Sequence, residues 1–200
     1  KQPIRVQANV RFENIHFHST VTVEQGTPYF ANCTFEPTAA NALDLFAPTT
    51  FVQCQIRGGD YGIFTKAQTI IQSTTIHGAT IGLYSQQASV TVEHSTILDC
   101  KKFGISTIDG ELIVHHSKVL RSAESNIKVD GTKTTLSDSI SKNSQDGAGL
   151  WALNQSVISI TRSELSNNAK PNISIAHSQL FIEQTQLLNS NQCGIWMKDQ

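Results

Sequence analysis

The sequence predicts an all-β solenoid, in which the chain winds through about nine coils of roughly 22 residues each. Two columns of apolar residues predict this fold. The first recurs at intervals of 18 to 24 residues: Phe12, Phe30, Phe51, Ile71, Val92, Val114, Leu136, Ile160 and Ile182. The second recurs at intervals of 20 to 23 residues: Val21, Leu43, Ile63, Leu83, Ile105, Ile127, Leu150, Ile173 and Ile195. Because a unit this short cannot bury a core alone, neighbouring units must stack on one another.

Each unit contains short stretches that alternate between apolar and polar residues, such as Val90-Thr91-Val92. A period of two residues is typical of strands, and no window shows the sustained apolar face of a helix. The period of about 22 residues fits a three-sided coil with three short strands and three turns. Strands of successive coils would then pair at a spacing of about 4.8 Å.

Two positions in each unit indicate where the chain turns. From the third copy on, glycine or asparagine usually precedes the second column: Gly62, Gly82, Gly104, Asn126, Gly149, Asn172 and Gly194. Because these residues tolerate positive φ angles, we expect a recurrent turn there. A second corner is expected after the first column, where two outward residues follow each other, as Glu93 and His94 do between Val92 and Ser95.

The pattern Gly-Ile-x-x, followed by Val-x-Val-x-x-Ser-x-Ile, recurs along the chain. It is seen at Gly82-Leu83 with Val90 to Ile97, and at Gly104-Ile105 with Leu112 to Val119. In this pattern the chain resembles the right-handed single-stranded parallel β-helix of the pectate-lyase-like superfamily, built from PbH1-type repeats. The resemblance covers essentially all 200 residues. It implies no single function, because that superfamily includes polysaccharide lyases, hydrolases, epimerases, tailspikes, adhesins and intracellular interaction domains.

Composition narrows the classes of partner. The chain has 15 basic and 16 acidic residues, so its net charge of −1 offers no basic field for nucleic acid. No apolar run approaches the roughly 18 residues that cross a bilayer, so we expect no membrane association. No motif predicts a cofactor. Residues 1–200 are expected to form one β-helix domain, a fragment of a larger multidomain protein, because neither end shows a capping element.

The cysteine pattern predicts free thiols rather than disulfides. Cys33 and Cys54 fall in the same inward column on consecutive coils, where we expect two buried thiols. Cys100 and Cys193 lie several coils apart and are not expected to meet. Unpaired cysteines favour a reducing compartment such as the cytoplasm, although no targeting signal identifies the location.

Four residues of the corner column form a candidate catalytic row. Stacking of coils makes His94, His116, Asp138 and Arg162 consecutive neighbours on the surface. Two imidazoles, a carboxylate and a cation are what acid–base chemistry on an acidic sugar needs. The alternative interpretation is structural, because a sharp corner favours residues that adopt the left-handed conformation. A metal site at His94 and His116 would need a third ligand, so no metal is predicted.

A second outward column contains candidate binding residues. Phe64, Tyr84, Trp151 and Trp196 each lie one position after the second apolar column, and small Ser174 separates the two tryptophans. Exposed aromatic side chains are typical of surfaces that bind a glycan or a protein partner. The alternative is that a flanking segment of the parent protein covers them.

The leading hypothesis is therefore a non-catalytic binding or scaffolding module that recognises a protein partner, a neighbouring domain or a glycan. The first alternative is a carbohydrate-active enzyme that acts on a uronic-acid polymer, and the second is a rigid spacer. The scattered acidic residues and the small variation in unit length, which leaves little material for cleft walls, weigh against the enzyme. The sequence predicts no oligomeric state. Ser139-Ile140-Ser141, where the alternation fails, is the expected site of an irregularity.

Overall fold

The computed structural model describes residues 2–37 and 40–198, which form a right-handed parallel β-solenoid. Each coil contributes one strand to each of three sheets, and every strand pairs in parallel with its equivalents in neighbouring coils. Two of the sheets contain nine strands and one contains ten. The predicted fold class and the repeat of about 22 residues are thus confirmed.

The three sheets are named in the order in which the chain first visits them. The first sheet consists of Ile4–Val6, Val21–Val23, Leu43–Leu45, Tyr61–Thr65, Ile81–Gln86, Phe103–Ile108, Ile127–Asp130, Leu150–Leu153, Ile173–Ala176 and Ile195–Lys198. The second sheet consists of Arg11–Glu13, Tyr29–Ala31, Thr49–Val52, Thr69–Gln72, Ser89–Glu93, Glu111–His115, Lys133–Ser137, Val157–Thr161 and Gln179–Glu183. The third sheet consists of His16–Phe17, Thr34–Phe35, Gln55–Arg57, Thr75–His77, Thr96–Leu98, Lys118–Leu120, Ile140–Lys142, Glu164–Ser166 and Gln186–Leu188.

The two apolar columns meet inside the solenoid and form one core that runs along its axis. In the first coils this core is aromatic: Phe30 and Phe51 stack with ring centroids 5.2 Å apart, and Phe35 meets Phe30 edge-on at 5.4 Å. Farther along, aliphatic residues such as Val92 and Ile105 take over and are fully buried. Each strand therefore buries alternate side chains against residues of the same type in the next coil.

The corner between the second and third sheets has the left-handed backbone that the sequence predicts. Every residue of the corner column has a φ angle between 45° and 56°: Asn14, Asn32, Gln53, Ser73, His94, His116, Asp138, Arg162 and Gln184. This conformation lets two successive side chains point outward, because the chain changes direction between them. The column that contains the candidate catalytic row is therefore also the backbone corner.

A ladder of hydroxyl groups stabilises this corner from inside. Ser95 N–H donates to Ser117 Oγ at 3.0 Å, and Ser117 N–H donates to Ser139 Oγ at 3.1 Å. Each hydroxyl in turn donates to a carbonyl two residues earlier, as Ser117 Oγ does to His115 O at 2.8 Å. The amide that follows each corner residue is thus satisfied, which a buried polar group requires.

The glycine column does not mark the turn that the sequence predicts. Gly62, Gly82 and Gly104 lie inside strands of the first sheet, and their φ angles are not positive. The reason for glycine is close packing: a Cβ atom on Gly82 would lie 2.6 Å from Gly104 O and 2.7 Å from Ile97 Cγ2. The positive-φ turn prediction was wrong for these positions, and lack of space explains the residue type.

The expected irregularity at Ser139-Ile140-Ser141 is absent from the strand pairing. Ile140–Lys142 pairs in register with Lys118–Leu120 and with Glu164–Ser166. Ser141 simply replaces an aliphatic residue at an inward position, where it is fully buried and its Oγ donates to Gly149 O at 2.8 Å. The polar side chain is tolerated because its hydrogen bond is made inside the coil.

Candidate functional site

Trp151 and Trp196 lie on the outer face of the first sheet, on either side of Ser174. Trp151 pairs with Ser174, and Ser174 pairs with Trp196, so the two indoles are separated by two coil steps. Trp196 is 45% exposed and Trp151 is partly exposed. The small serine between them leaves a gap that both side chains border, as the sequence predicts.

This gap is part of a cleft of about 520 Å³. Its second wall comes from the connections between the third and first sheets, through Glu124, Asp146, Lys170 and Gln192. These connections span 121–126, 143–149 and 167–172, whereas the earlier one at 78–80 has three residues. The expectation that the chain has little material for cleft walls was wrong, because a few extra residues per coil accumulate at one corner.

Charged groups surround the two indoles of the cleft. Lys128 Nζ lies 5.0 Å from the centre of the Trp151 ring, a distance at which a cation is attracted to an aromatic face. Lys170 Nζ and Asp146 Oδ1 form an exposed ion pair at 3.5 Å on the opposite wall. The cleft thus combines flat apolar surfaces with hydrogen-bond donors and acceptors at its rim.

Phe64 and Tyr84, the other two predicted binding residues, belong to a separate aromatic patch nearer the start of the chain. Their rings stack at 5.8 Å, and Tyr61 stacks on Tyr84 at 5.2 Å. Partial burial raises the pKa of the Tyr84 hydroxyl, and the neighbouring Tyr61 adds to the shift. Ser106 and Lys128 separate this patch from Trp151 in the pairing of the first sheet, so the four aromatic residues do not form one surface.

The corner row places its four members side by side, as the stacking of coils predicts. The rings of His94 and His116 are nearly parallel, with centroids 4.9 Å apart. Arg162 donates two hydrogen bonds to Asp138, from Nε to Oδ1 at 2.8 Å and from Nη2 to Oδ2 at 2.7 Å. These hydrogen bonds, together with the charge of Arg162 and the nearby histidines, hold the pKa of Asp138 below its usual value.

His115 belongs to the same cluster, although it was not among the candidate site residues predicted from the sequence. Its ring centroid lies 3.9 Å from that of His116, and its Nδ1 is 3.8 Å from Asp138 Oδ2. A groove of about 470 Å³ beside Asp138 and Arg162 continues to Gln184. The signal for His115 was present in the two consecutive outward positions of each corner.

The cysteines are free and form no disulfide, as the sequence predicts. Burial raises the pKa of the Cys54 thiol to about 11 and that of Cys100 to about 12. Buried thiols that remain protonated are unreactive, so these two residues serve as small apolar side chains of the core. Cys193 is exposed.

Three parallel sheets wound around one continuous core define the chain as a right-handed parallel β-helix. The chain belongs to the family described as the right-handed beta helix region, whose model matches residues 6–140. No curated protein sequence matches the chain. In the described residues, no helix has the length and apolar character that a membrane span needs.

Solved structures of the same fold include enzymes and non-enzymes. The enzymatically active domain of tailspike protein 2 from bacteriophage CBA120 is 10% identical with a TM-score of 0.55, over 96% of this chain and 39% of the tailspike domain. The A-module of a mannuronan C-5 epimerase from Azotobacter vinelandii is 8% identical with a TM-score of 0.49, over 98% of this chain and 61% of the module. A surface adhesin of Streptococcus pneumoniae is 7% identical with a TM-score of 0.24, over 98% of this chain and 84% of the adhesin. At these identities the similarity establishes the fold alone.

Proposed function

We propose that the chain is a binding module that holds a glycan in the cleft between Trp151 and Trp196. The observation that carries this proposal is the pair of indoles two coils apart on either side of Ser174. Two coil steps amount to roughly 10 Å along the sheet. One flat ring needs about 7–8 Å between two surfaces, at contact distances of 3.5–4.0 Å on each side. The gap is thus wide enough for one sugar ring.

The rim of the cleft supports a glycan over a purely apolar ligand. Glu124 and Asp146 accept hydrogen bonds, Lys170 donates them, and Gln192 does both, which suits the many hydroxyl groups of a sugar. The apolar face of a pyranose ring can rest on an indole while its hydroxyls reach this rim. Because the rim carries both signs of charge, it favours a neutral sugar or one with a single charged substituent over a polyanion.

A carbohydrate-active enzyme is the second candidate function, and the groove beside the corner row is the observation that favours it. Asp138 and Arg162 line that groove, and His116 is their neighbour. Arg162 already occupies both oxygens of Asp138, however, which weakens this carboxylate as a proton acceptor. A binding module therefore explains the geometry better than a catalyst for uronic-acid polymers. The rigid spacer remains the outcome if neither surface binds a ligand.

The free thiols bear on where the module works. Three of the four cysteines are buried, and no pair forms a disulfide. This pattern supports a reducing compartment such as the cytoplasm, since exposed pairs of cysteines would oxidise elsewhere.

Glycan binding is tested with an array of microbial and plant glycans, followed by calorimetry on the strongest ligand. We expect Trp196→Ala and Trp151→Ala each to weaken binding at least about tenfold, because a buried aromatic contact commonly accounts for 2 kcal/mol or more, by order of magnitude. The matched control is Phe181→Ala, which removes a 59% exposed aromatic residue of the second sheet outside the cleft.

Three outcomes of this experiment count against the proposal. Silence of the whole array excludes the glycans tested, and a ligand whose affinity is unchanged by both tryptophan variants places binding elsewhere. Cleavage or epimerisation of a bound polyuronate, abolished in a His116→Asn variant, would instead establish the enzyme. Capture of a defined protein partner that depends on Trp151 would replace the glycan by a protein ligand.

A further inference from the structure

We infer that His115, His116 and Asp138 form a binding site for a divalent transition-metal ion, best suited to Zn²⁺. One possible ligand atom from each side chain lies within 4.8 Å of the other two. Within the described residues, no other group of three histidine, cysteine or acidic side chains comes this close. The site lies at the corner between the second and third sheets, away from the tryptophan cleft on the first sheet, and does not depend on glycan binding.

The left-handed corner explains how two neighbouring residues in the chain can bind one ion. His115 ends the strand Glu111–His115, and His116 follows with a φ angle of 47°. In a continuous strand their side chains would point to opposite faces. The turn at His116 directs both rings outward, with centroids 3.9 Å apart.

The third ligand comes from the next coil. Asp138 occupies the position of His116 one coil later, and both have left-handed φ angles, 49° and 47°. The pairing of His115 with Ser137 fixes this alignment. The three ligand groups are therefore positioned by strand register, and only their side-chain torsions need to change.

Neighbouring groups orient the ligands as in established metal sites. Ser137 Oγ lies 2.7 Å from His115 Nδ1, and Arg162 holds the Asp138 carboxylate with two hydrogen bonds. Hydrogen-bonded partners of this kind set the orientation of histidine and carboxylate ligands. Each carboxylate oxygen has two lone pairs, so Asp138 can keep Arg162 while it binds an ion through the second lone pair of one oxygen.

The donor set determines which ion is expected. Two imidazoles and one carboxylate suit Zn²⁺, which takes nitrogen and oxygen ligands at about 2.0–2.2 Å, whereas Ca²⁺ and Mg²⁺ prefer oxygen ligands alone. A tetrahedral ion with such bonds separates its ligand atoms by about 3.4 Å, so the three groups must each move inward by roughly 1 Å. His116 is exposed and the other two side chains are partly exposed, so the protein surface leaves room for this movement. Three protein ligands leave the fourth position open for water.

The test is calorimetric titration of the 200-residue chain with ZnCl₂, alongside Co²⁺ as an optical probe of the same ligands. The variant that removes the site is His115→Thr with His116→Asn. Threonine suits the end of a strand, and asparagine already occupies the same left-handed corner at Asn14 and Asn32, so this variant should fold. We expect it to lower the Zn²⁺ affinity at least tenfold and to abolish the visible bands of bound Co²⁺. Asp138→Asn, which keeps the corner conformation, is expected to lower the affinity at least tenfold as well.

A second histidine pair provides the matched control. The rings of His16 and His18 are also 3.9 Å apart, but they are not part of a three-ligand group. His16→Gln with His18→Gln should leave the Zn²⁺ affinity unchanged. Zn²⁺ at a hundredfold excess over its dissociation constant should also raise the melting temperature of the wild type by roughly 5–10 °C, but not that of the corner variant.

Either of two results overturns the inference. One is the absence of Zn²⁺ binding below about 0.1 mM in the wild type. The other is wild-type affinity in the folded corner variant, with folding verified by its circular dichroism spectrum. Loss of binding in the His16 and His18 control instead of the corner variant would move the site to the other pair.

Discussion

The most regular ion pair at a corner of the solenoid joins Arg121 to Asp99. Both residues have φ angles of 54° and lie one coil apart at the corner between the third and first sheets. Arg121 donates from Nε to Asp99 Oδ1 at 2.6 Å and from Nη2 to Asp99 Oδ2 at 2.8 Å. Stacking of coils thus converts residues 22 positions apart in the chain into a bidentate pair.

Replacement of Arg121 tests the electrostatics of this pair. Its hydrogen bonds, and then its charge, hold the pKa of Asp99 below the ordinary value of 3.8, against a smaller opposing effect of burial. We expect Arg121→Gln to raise the pKa of Asp99 toward 3.8, which an NMR titration of its carboxyl carbon measures. Arg57→Gln serves as the control, because Arg57 pairs with Gln55 instead.

The direction of the pH effect follows from the lowered pKa. Because the folded-state pKa of Asp99 is depressed, the ionised carboxylate stabilises the fold above the unfolded-state value of 3.8. That stabilisation disappears as the pH falls through the folded-state pKa. In Arg121→Gln the acid-induced loss should be smaller, and an Asp99 titration identical to that of the wild type would contradict the assignment.

At the residue scale, the sequence predicts which side chains are neighbours but not which contacts they make. The repeat placed His94, His116, Asp138 and Arg162 in one row, and the structure places them there. It did not predict that Arg162 would take both oxygens of Asp138, because the torsions of a long side chain do not depend on the repeat. His115 escaped prediction as a ligand for the same reason, since ring orientation decides its distance from Asp138.

Among the structural elements, the hydroxyl ladder shows how the corners depend on one residue type. The chain reverses direction at each left-handed corner, so the next amide is buried without a strand partner. Ser117 Oγ accepts the hydrogen bond from the amide of Ser95 and donates to His115 O, so that one hydroxyl serves two buried backbone groups. Threonine does the same at Thr74, which accepts from Cys54 N–H at 3.1 Å.

Removal of one rung should weaken the corner measurably. Ser117→Ala leaves the Ser95 amide without its acceptor, at an expected cost of about 1–3 kcal/mol in the free energy of unfolding. Ser117→Thr retains the hydroxyl and should stay within about 1 kcal/mol of the wild type, given Thr74 in the same column. Urea denaturation measures the stability, and amide exchange at Ser95 should accelerate in the alanine variant alone. Equal exchange in both variants would mean that the hydroxyl is not the acceptor.

The tryptophan cleft was only half predictable at the level of elements. Column spacing predicts that Ser174 lies between Trp151 and Trp196, because strand pairing in the first sheet is regular. The wall that faces them depends on where the extra residues of a longer coil are inserted. The length of a repeat gives only their number, whereas the structure assigns most of them to the connections from the third sheet to the first.

At the scale of the whole molecule, the solenoid presents its two candidate sites on different sides of one core. The tryptophans lie on the first sheet, and the histidine corner joins the second sheet to the third. Fully buried residues such as Leu165 and Ile160 fill the space between the sheets. A close-packed interior of this kind keeps each surface in place without a shared polar network.

This arrangement predicts that the two sites act independently. Trp196→Ala should weaken glycan binding but change the Zn²⁺ affinity by no more than about twofold, because substitutions without shared partners add within 0.3–0.5 kcal/mol, as an approximate rule. The variant His115→Thr with His116→Asn should show the reverse pattern. The combination of all three substitutions should show the sum of the two effects in both titrations.

Calorimetry on the four proteins of this cycle measures the coupling between the sites directly. A change of tenfold or more in the Zn²⁺ affinity of the folded Trp196→Ala variant would mean that the coils transmit a rearrangement through the core. The same change in glycan affinity after loss of the histidines would mean that the corner contributes to the glycan site. Additivity would establish that a solenoid can carry unrelated ligands on separate faces, because each coil fixes its outward side chains through pairing with its immediate neighbours alone.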